Sequence, residues 1–203
     1  MKIAVFGADS LYNELIQCNT GIDWIRVKAI RELDDRKNID ALFVLDEAID
    51  ITDINLAEKP VFINCVTKTL KQLSAQKNII RINGWSGFLS KGLWEVSGIL
   101  NEYAVNVLLE CSKKYITTPD EPGFISARIL AMIINEAFYT EADKVSDRSA
   151  IDIAMKLGTN YPFGPFEWAE KIGTEKIYEL LMALSAQDTR YTPCASMAQL
   201  IKQ

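Results

Sequence analysis

The first 118 residues contain five short apolar runs, and this pattern constrains the fold more than any other feature of the sequence. Each run has the length of a buried strand and is too short for an ordinary helix. Polar or helical connectors separate the runs, which lie at residues 2–6, 24–30, 41–45, 61–64 and 79–82. Residues 115–118 are a candidate for a last strand. Short apolar strands that alternate with helices predict a parallel sheet with helices on its faces.

Proline and glycine residues interrupt the chain at 119–123, and the sequence beyond them has helical character. Residues 124–139 are apolar almost all round, which is typical of a helix covered by a core or by another subunit. For the next helix, Ser146 is the predicted cap and Gly158 the predicted end. Further helices are predicted at residues 10–18, 101–114, 166–171 and 174–187.

We therefore predict two domains, an α/β domain over residues 1–118 and an all-helical domain over residues 119–203. A strand–helix–strand unit takes about 30 residues or more. The first domain thus has room only for a reduced sheet of the nucleotide-binding type.

The composition excludes several kinds of chemistry, because the chain of 203 residues contains no histidine. Ser-His-Asp and Cys-His catalysis and zinc sites with histidine ligands are excluded. A general base has to be a carboxylate, lysine, tyrosine, cysteine or bound water. No metal site is predicted, since no Cys-x-x-Cys motif occurs among Cys18, Cys65, Cys111 and Cys194.

The charge pattern and the hydropathy exclude two classes of partner. The formal net charge is −5 and no basic stripe occurs, so nucleic-acid binding is not expected. No apolar run approaches the roughly 18 residues of a membrane span. The start of the sequence has no export signal, so we expect a cytoplasmic protein with reduced thiols.

Three blocks of the helical half carry a family resemblance. They are Pro122-Gly123-Phe124-Ile125 with Arg128 after it, then residues 151–158, then the segment Tyr-Pro-Phe-Gly-Pro-Phe-Glu at 161–167. In this order and spacing they closely resemble the C-terminal domain of the 3-hydroxyacyl-CoA dehydrogenases. Residues 1–118 resemble that family's Rossmann domain more weakly, through the strand-then-glycine start and the segment 91–96. The resemblance implies a reduced Rossmann-like α/β sheet followed by the family's all-α domain.

The resemblance also implies where a catalytic pair would lie. Family members oxidise the 3-hydroxyl of an acyl-CoA with NAD, and a histidine that takes the proton is oriented by a glutamate. Glu95 matches the glutamate, and counting back to the histidine position gives Asn83. An asparagine amide binds a hydroxyl or carbonyl but is a very weak base. Glu95 has the alternative interpretation of an ordinary surface carboxylate beside Lys91.

Other residues that bind the reacting oxygen or the cofactor side in the family are changed as well. The family's serine position falls near Val66, with Thr67 or Thr69 able to supply a hydroxyl nearby. The asparagine expected in the helix after residues 122–125 is replaced by Ala127.

The glycine-rich turn G-x-G-x-x-G, which holds a dinucleotide in the family, is Gly7-Ala8-Asp9-Ser10-Leu11-Tyr12 in this sequence. Only Gly7 remains, whereas Asp9 and Tyr12 replace the other two glycines. The alternative to cofactor binding is that Asp9 or Ser10 caps the following helix. Glu32 is the one candidate for the acidic ribose ligand expected about 20 residues further on, or else a solvated charge. The predicted cofactor-binding residues are therefore Gly7 and Glu32.

Lysine and tryptophan residues between positions 68 and 94 suggest an acyl-CoA ligand. A cleft for the acidic phosphates of an acyl-CoA could be flanked by Lys68, Lys71, Lys77, Trp85, Lys91 and Trp94. The alternative is a solvated lysine face above two core tryptophans.

Three functions remain open. The first is a degenerate family member that keeps the fold and an acyl-CoA-sized cleft, with no cofactor. The second is an active NAD(H)-dependent 3-hydroxyacyl-CoA oxidoreductase of fatty-acid metabolism that uses Glu95 through water. The third is a non-enzymatic structural protein that dimerises. In all three we expect a homodimer through the helical domain, because residues 124–139 offer more apolar surface than one small domain covers and because the family's helical domains pair two subunits.

Overall fold

The computed structural model describes residues 1–17, 21–30, 38–48, 50–51, 54 and 56–201. The contacts divide the chain into two compact units, Met1–Phe124 and Ile125–Gln203. In the described part of the first unit there are seven strands, β1 (Lys2–Phe6), β2 (Asp23–Val27), β3 (Ala41–Val44), β4 (Val61–Asn64), β5 (Ile79–Ile82), β6 (Leu93–Ser97) and β7 (Lys114–Thr117).

The seven strands form one sheet in the order β2-β1-β3-β4-β5-β6-β7. All neighbouring strands are parallel except β5 and β6, which are antiparallel. The predicted reduced Rossmann-like sheet is confirmed. Strand β6 was not among the predicted strands, because its residues alternate between exposed and buried and include Glu95.

Apolar layers cover both faces of the central strands, and every residue of β3, β4 and β5 is buried. On one face lie the helices α1 (Asp9–Ile16) and α2 (Glu102–Glu110), whose apolar side chains pack on Ile3, Val5, Phe43, Phe62 and Ile82. On the other face Ala4, Leu42, Val44 and Ile63 pack against connector residues such as Ile51, Ile54 and Leu56. Burial on both faces explains why these strands are continuous apolar runs.

The described part of the second unit is helical, as predicted. It contains α3 (Ser126–Ala142), α4 (Arg148–Thr159), α5 (Pro165–Ile172), α6 (Thr174–Ser185), a 3-10 turn (Thr189–Tyr191) and α7 (Ala195–Ile201). None of the helices in the part of the chain that the structure describes is long and apolar enough to cross a membrane.

The predicted limits of α4 were wrong at both ends. Asp147, not Ser146, caps the helix, because its carboxylate accepts a hydrogen bond from the Ala150 amide at 2.9 Å. The helix continues past Gly158 and ends at Asn160, whose backbone is left-handed with φ 57°. Asparagine adopts this conformation at a helix end almost as readily as glycine.

The second and third sequence blocks meet where α4 contacts α5. The Asp152 carboxylate accepts the Phe166 amide at 2.8 Å, and Lys156 forms an ion pair with Glu167. A Cβ at Gly164 would overlap the Asp152 carboxylate, so this position requires glycine. The ammonium of Lys156 and the amide of Gly164 hold the pKa of Glu167 below its usual range. These contacts explain why specific residues, and not only apolar ones, occur in both blocks.

Arg81 on β5 is a fully buried guanidinium in the first unit. Its Nε donates to the Cys65 carbonyl at 2.9 Å, and its Nη1 contacts the Asp120 carboxylate at 2.7 Å. The Nη atoms also donate to the carbonyls of Val66 and Glu121. A buried charge is tolerated only when it is paired and hydrogen-bonded. Arg81 thus ties β5, the segment after β4 and the segment after β7 together.

Asp120 completes this network. Its carboxylate accepts the amides of Leu70 and Lys71 as well as the Arg81 guanidinium. Partial burial raises the pKa of Asp120, but the Leu70 amide, the Arg81 guanidinium and the Lys71 amide outweigh it, so the pKa lies below its ordinary value. The carboxylate is therefore ionised whenever the chain is folded near neutral pH.

We expect Arg81→Met to lower the free energy of unfolding by about 3 kcal/mol or more, because it removes a donor from a partly buried carboxylate and from three carbonyls. Urea unfolding of the full chain measures this loss. The matched control is Lys77→Met, which removes the same charge from an exposed position shortly before β5. An equal effect of both substitutions would contradict a structural role for Arg81.

Stability should also depend on pH through Asp120. Because the folded pKa is depressed, the stabilisation is present above the ordinary value of 3.8 and is lost as the pH falls through the folded value. Below about pH 4 the free energy of unfolding should therefore fall more steeply with acidification in the wild type than in Asp120→Asn. Urea titrations at several pH values measure the two slopes, and identical slopes would refute the assignment.

Candidate functional site

Three of the predicted site residues of the first unit, Gly7, Asn83 and Glu95, lie toward one edge of the sheet. The carboxyl ends of parallel strands meet at a common edge, which is where α/β sheets bind ligands. Gly7 follows β1 and Asn83 follows β5 at this edge. The antiparallel pairs Arg81–Ser97 and Ile82–Val96 bring Glu95 level with Asn83 at the next position. Glu32 lies outside the described residues.

Asn83 is buried and serves the local backbone. Its side chain is 5% exposed, and its Oδ1 accepts the Trp85 amide at 3.4 Å. Asparagine commonly closes a turn in this way by bonding a backbone group two residues on. Asn83 can therefore help to shape the turn after β5, but an amide oxygen does not take a proton from an alcohol.

Asn64 at the end of β4 is a central polar residue of this edge that the sequence analysis did not select. Its Nδ2 donates to the Leu45 carbonyl at 3.2 Å, and its Oδ1 accepts the Gly84 amide at 3.0 Å. A Cβ on Gly84 would come within 2.7 Å of the Asn64 side chain, so the close approach requires glycine. The available signal was a polar residue that ends an otherwise apolar buried strand.

The connector between β5 and β6 is held from two sides. Glu14 of α1 accepts the amides of Gly87 at 2.9 Å and Ser90 at 3.1 Å. The buried Lys113 ammonium donates to the carbonyls of Leu89 at 2.8 Å and Lys91 at 3.0 Å. The polar groups of this connector are thus used for internal bonds.

Cys65 follows β4 at this edge, and the anion of a thiol could act as a base. It is buried, and its Sγ donates to the Lys68 carbonyl. Burial raises the pKa of the Cys65 thiol, although the nearby Arg81 guanidinium acts in the opposite direction. The group is therefore a neutral thiol near pH 7 and does not replace the missing base.

The turn after β1 differs from the predicted helix cap. Ala8 occupies the N-cap of α1 and no side chain caps it, so the expectation that Asp9 or Ser10 caps this helix was wrong. The Asp9 carboxylate instead accepts a hydrogen bond from Arg26 of β2 at 2.9 Å. Arg26 also donates to the Gly7 carbonyl. The guanidinium is a stronger partner for the Asp9 carboxylate than its own helix terminus.

Gly7 is required by packing. Its φ is 145°, and a Cβ here would lie 2.6 Å from the Cβ of Leu45, which follows β3. The glycine therefore allows the close approach of Leu45 to the turn. With a carboxylate at Asp9 and a ring at Tyr12, the residues of this turn do not fit a dinucleotide held as a glycine-rich turn holds one.

The lysines and tryptophans near this edge separate by burial. Trp85 and Trp94 are buried, and Trp94 packs edge-on against Phe43 in the core. The exposed residues are Lys68, Lys71, Lys77 and Lys91. This distribution matches the solvated lysine face of the alternative interpretation. Among the described residues no group of three or more Cys, Asp or Glu side chains could hold a metal ion.

Comparisons with known proteins found sequence relatives of the second unit. The family model of the 3-hydroxyacyl-CoA dehydrogenase C-terminal domain matches residues 123–203. A 3-hydroxyadipyl-CoA dehydrogenase of Escherichia coli is 38% identical over 98 residues, which are 47% of this chain and 21% of that protein. A 3-hydroxybutyryl-CoA dehydrogenase of Bradyrhizobium diazoefficiens is 35% identical over 103 residues, 50% of this chain and 35% of that protein. The matched part thus spans about a third or less of these relatives.

The fold likeness extends further than the sequence match. The crystal structure of an (S)-3-hydroxybutyryl-CoA dehydrogenase from Ralstonia eutropha superposes with a TM-score of 0.71 at 17% identity, over 99% of this chain and 93% of that chain. At this low identity, the similarity to that crystal structure shows the fold alone. Residues 123–203 therefore match the family of 3-hydroxyacyl-CoA dehydrogenase C-terminal domains, and the whole chain has a fold similar to that of such a dehydrogenase.

Proposed function

We propose that this chain is a 3-hydroxyacyl-CoA dehydrogenase-like protein that does not catalyse NAD-dependent dehydrogenation. The proposal rests on the residue that occupies the position of the family's general base. The sequence has no histidine, and Asn83 at that position uses its amide oxygen to bind the Trp85 amide. Loss of a general base costs about 10²- to 10⁴-fold in rate. The altered turn after β1 adds a second loss, so no cofactor is part of the proposed function.

The ligand that we propose is an acyl-CoA thioester, bound without turnover. The support is the family itself, since the relatives named above are 3-hydroxyadipyl-CoA and 3-hydroxybutyryl-CoA dehydrogenases. Binding without chemistry needs the shape of the fold but neither the base nor the dinucleotide.

The second candidate is an active NAD(H)-dependent 3-hydroxyacyl-CoA oxidoreductase. The observation that favours it is the register of β5 and β6, which brings Glu95 level with Asn83. In that case the Glu95 carboxylate would take the hydroxyl proton through one water molecule. We place this candidate second because it also needs a cofactor at a turn that does not fit one.

We also propose that the chain forms a homodimer through its helical unit. A groove of about 430 Å³ lies between α3 and α4, and its apolar lining includes Ile133, Ala137, Ala150, Ile151, Ala154 and Met155. Two apolar side chains of α4 that are not part of the groove lining are exposed to solvent, Ile153 at 51% and Leu157 at 83%. A self-complementary interface would bury both this groove and these exposed apolar side chains. The same dimer would be the entire function in the third candidate, a non-enzymatic structural protein.

We expect no oxidation of NADH above the protein-free rate when the wild type is mixed with NADH and acetoacetyl-CoA. Asn83→His should remain inactive, because a restored imidazole does not restore the turn after β1. Absorbance at the NADH band measures turnover, and calorimetric titration with acetoacetyl-CoA measures binding. Turnover that Glu95→Gln abolishes would establish the second candidate instead.

One chain has a mass of 22.8 kDa, and sedimentation at micromolar concentration should give twice this mass. Leu157→Glu and Ile153→Glu should convert the dimer to monomer, because each places a charge in a desolvated interface. Met182→Glu is the matched control, since Met182 is an exposed apolar residue of α6 away from the groove. A monomeric wild type, or a dimer that survives both α4 substitutions, would refute this interface.

A further inference from the structure

We infer that Arg26 is an internal occupant of the turn after β1, where it fills the position at which dinucleotide-binding sheets hold a phosphate. The inference rests on the proposed function, because it explains how this edge of the fold stays intact without a cofactor. It assigns Arg26 a role that no sequence motif indicates.

The parallel pairing of β1 and β2 positions this residue. Val5 of β1 is level with Arg26 of β2, and the side chain runs toward the carboxyl end of β1. Its Nη1 is 3.4 Å from the Val5 carbonyl, and its Nη2 donates to the Gly7 carbonyl. The side chain is 27% exposed, so most of it is removed from water. Arg26 therefore lies against the turn and does not extend into solvent.

Arg26 contacts the residue at every glycine position of the degenerate motif. The motif G-x-G-x-x-G places glycines at 7, 9 and 12 of this chain. Besides the Gly7 carbonyl, Nη2 contacts the Asp9 carboxylate at 2.9 Å. The guanidinium carbon lies 4.9 Å from the centre of the Tyr12 ring, within range of a cation–π interaction. The two residues that replace glycines thus supply two of the three partners that Arg26 has within the motif.

The charges at this turn differ from those in a glycine-rich dinucleotide turn. A dinucleotide turn offers backbone amides and a helix N-terminus to an anion. Here the Arg26 guanidinium binds the turn carbonyl, and a carboxylate stands in the first turn of α1. An entering phosphate would meet the Asp9 carboxylate and would have to displace Arg26 from its three partners in the motif. We therefore expect this turn to bind phosphate only weakly.

Urea unfolding of the full chain tests whether Arg26 stabilises the turn after β1. An exposed ion pair alone contributes little, but the added carbonyl and ring contacts should make Arg26→Met raise the unfolding equilibrium constant about tenfold. The matched control is Lys28→Met, which removes the same charge from an exposed residue just after β2, and we expect less than a twofold change. Equal effects of the two substitutions would overturn the inference.

A double-mutant cycle with Asp9→Asn sharpens the test. If Asp9 acts through Arg26, the double variant should be no less stable than Arg26→Met alone. Full additivity of the two losses would overturn the proposed pairing. Inorganic pyrophosphate at millimolar concentration should leave the wild-type unfolding midpoint unchanged, and a rise in that midpoint would also overturn the inference.

The turnover assay separates this inference from the proposed function. NADH oxidation by the wild type would reject the proposed function, whatever the stability of the Arg26 variant. Absence of turnover together with equal stability of Arg26→Met and Lys28→Met would reject only the occupancy by Arg26.

Discussion

The buried Arg81 guanidinium is the group on which the carboxyl edge of the sheet depends. A charge in that position must be satisfied by fixed partners, and those partners come from the segment after β4 and from Asp120 and Glu121 after β7. Phe124 covers the guanidinium, with its ring centre 4.8 Å from the guanidinium carbon. Residues far apart in the sequence are thus held around one cation. The polar groups around Arg81 therefore have a structural role at this edge, whether or not any of them acts in catalysis.

Two other positions of the same edge follow this pattern. At the ends of β4 and β5, Asn64 and Asn83 bind the amides of Gly84 and Trp85, respectively. At the end of β1, Arg26 binds the Gly7 carbonyl and the Asp9 carboxylate. In active family members, according to the resemblance, a base and a dinucleotide occupy the corresponding positions. Because hydrogen-bonding capacity used inside the fold is no longer available to a substrate, these internal bonds support the proposal of a protein without turnover.

The helical unit keeps a recognisable sequence for a different reason. Asp152 binds the Phe166 amide, and the close approach of this carboxylate requires Gly164. Lys156 and Glu167 pair across the same two helices. Such contacts need particular side chains at particular spacings, whereas the strands of the sheet need mainly apolar residues of suitable size. Sequence similarity therefore concentrates in residues 123–203, while the sheet retains its fold with little identity.

The sequence alone predicted β1, β4 and β5 with their ends and the helical character of the second unit. It also predicted the likeness of residues 123–203 to the 3-hydroxyacyl-CoA dehydrogenases. Local periodicity and turn residues carry that information. It also led to Asn83 and Glu95 as neighbours, although only through the resemblance. The sequence did not predict strand β6, because its buried residues alternate with the exposed Leu93 and the charged, half-buried Glu95. The cap of α4 is Asp147 and not Ser146, because neighbouring polar residues have similar capping tendencies. The contact of Arg26 with Gly7 could not be predicted from the sequence, because the parallel register of β1 and β2 sets which side chain stands beside that turn.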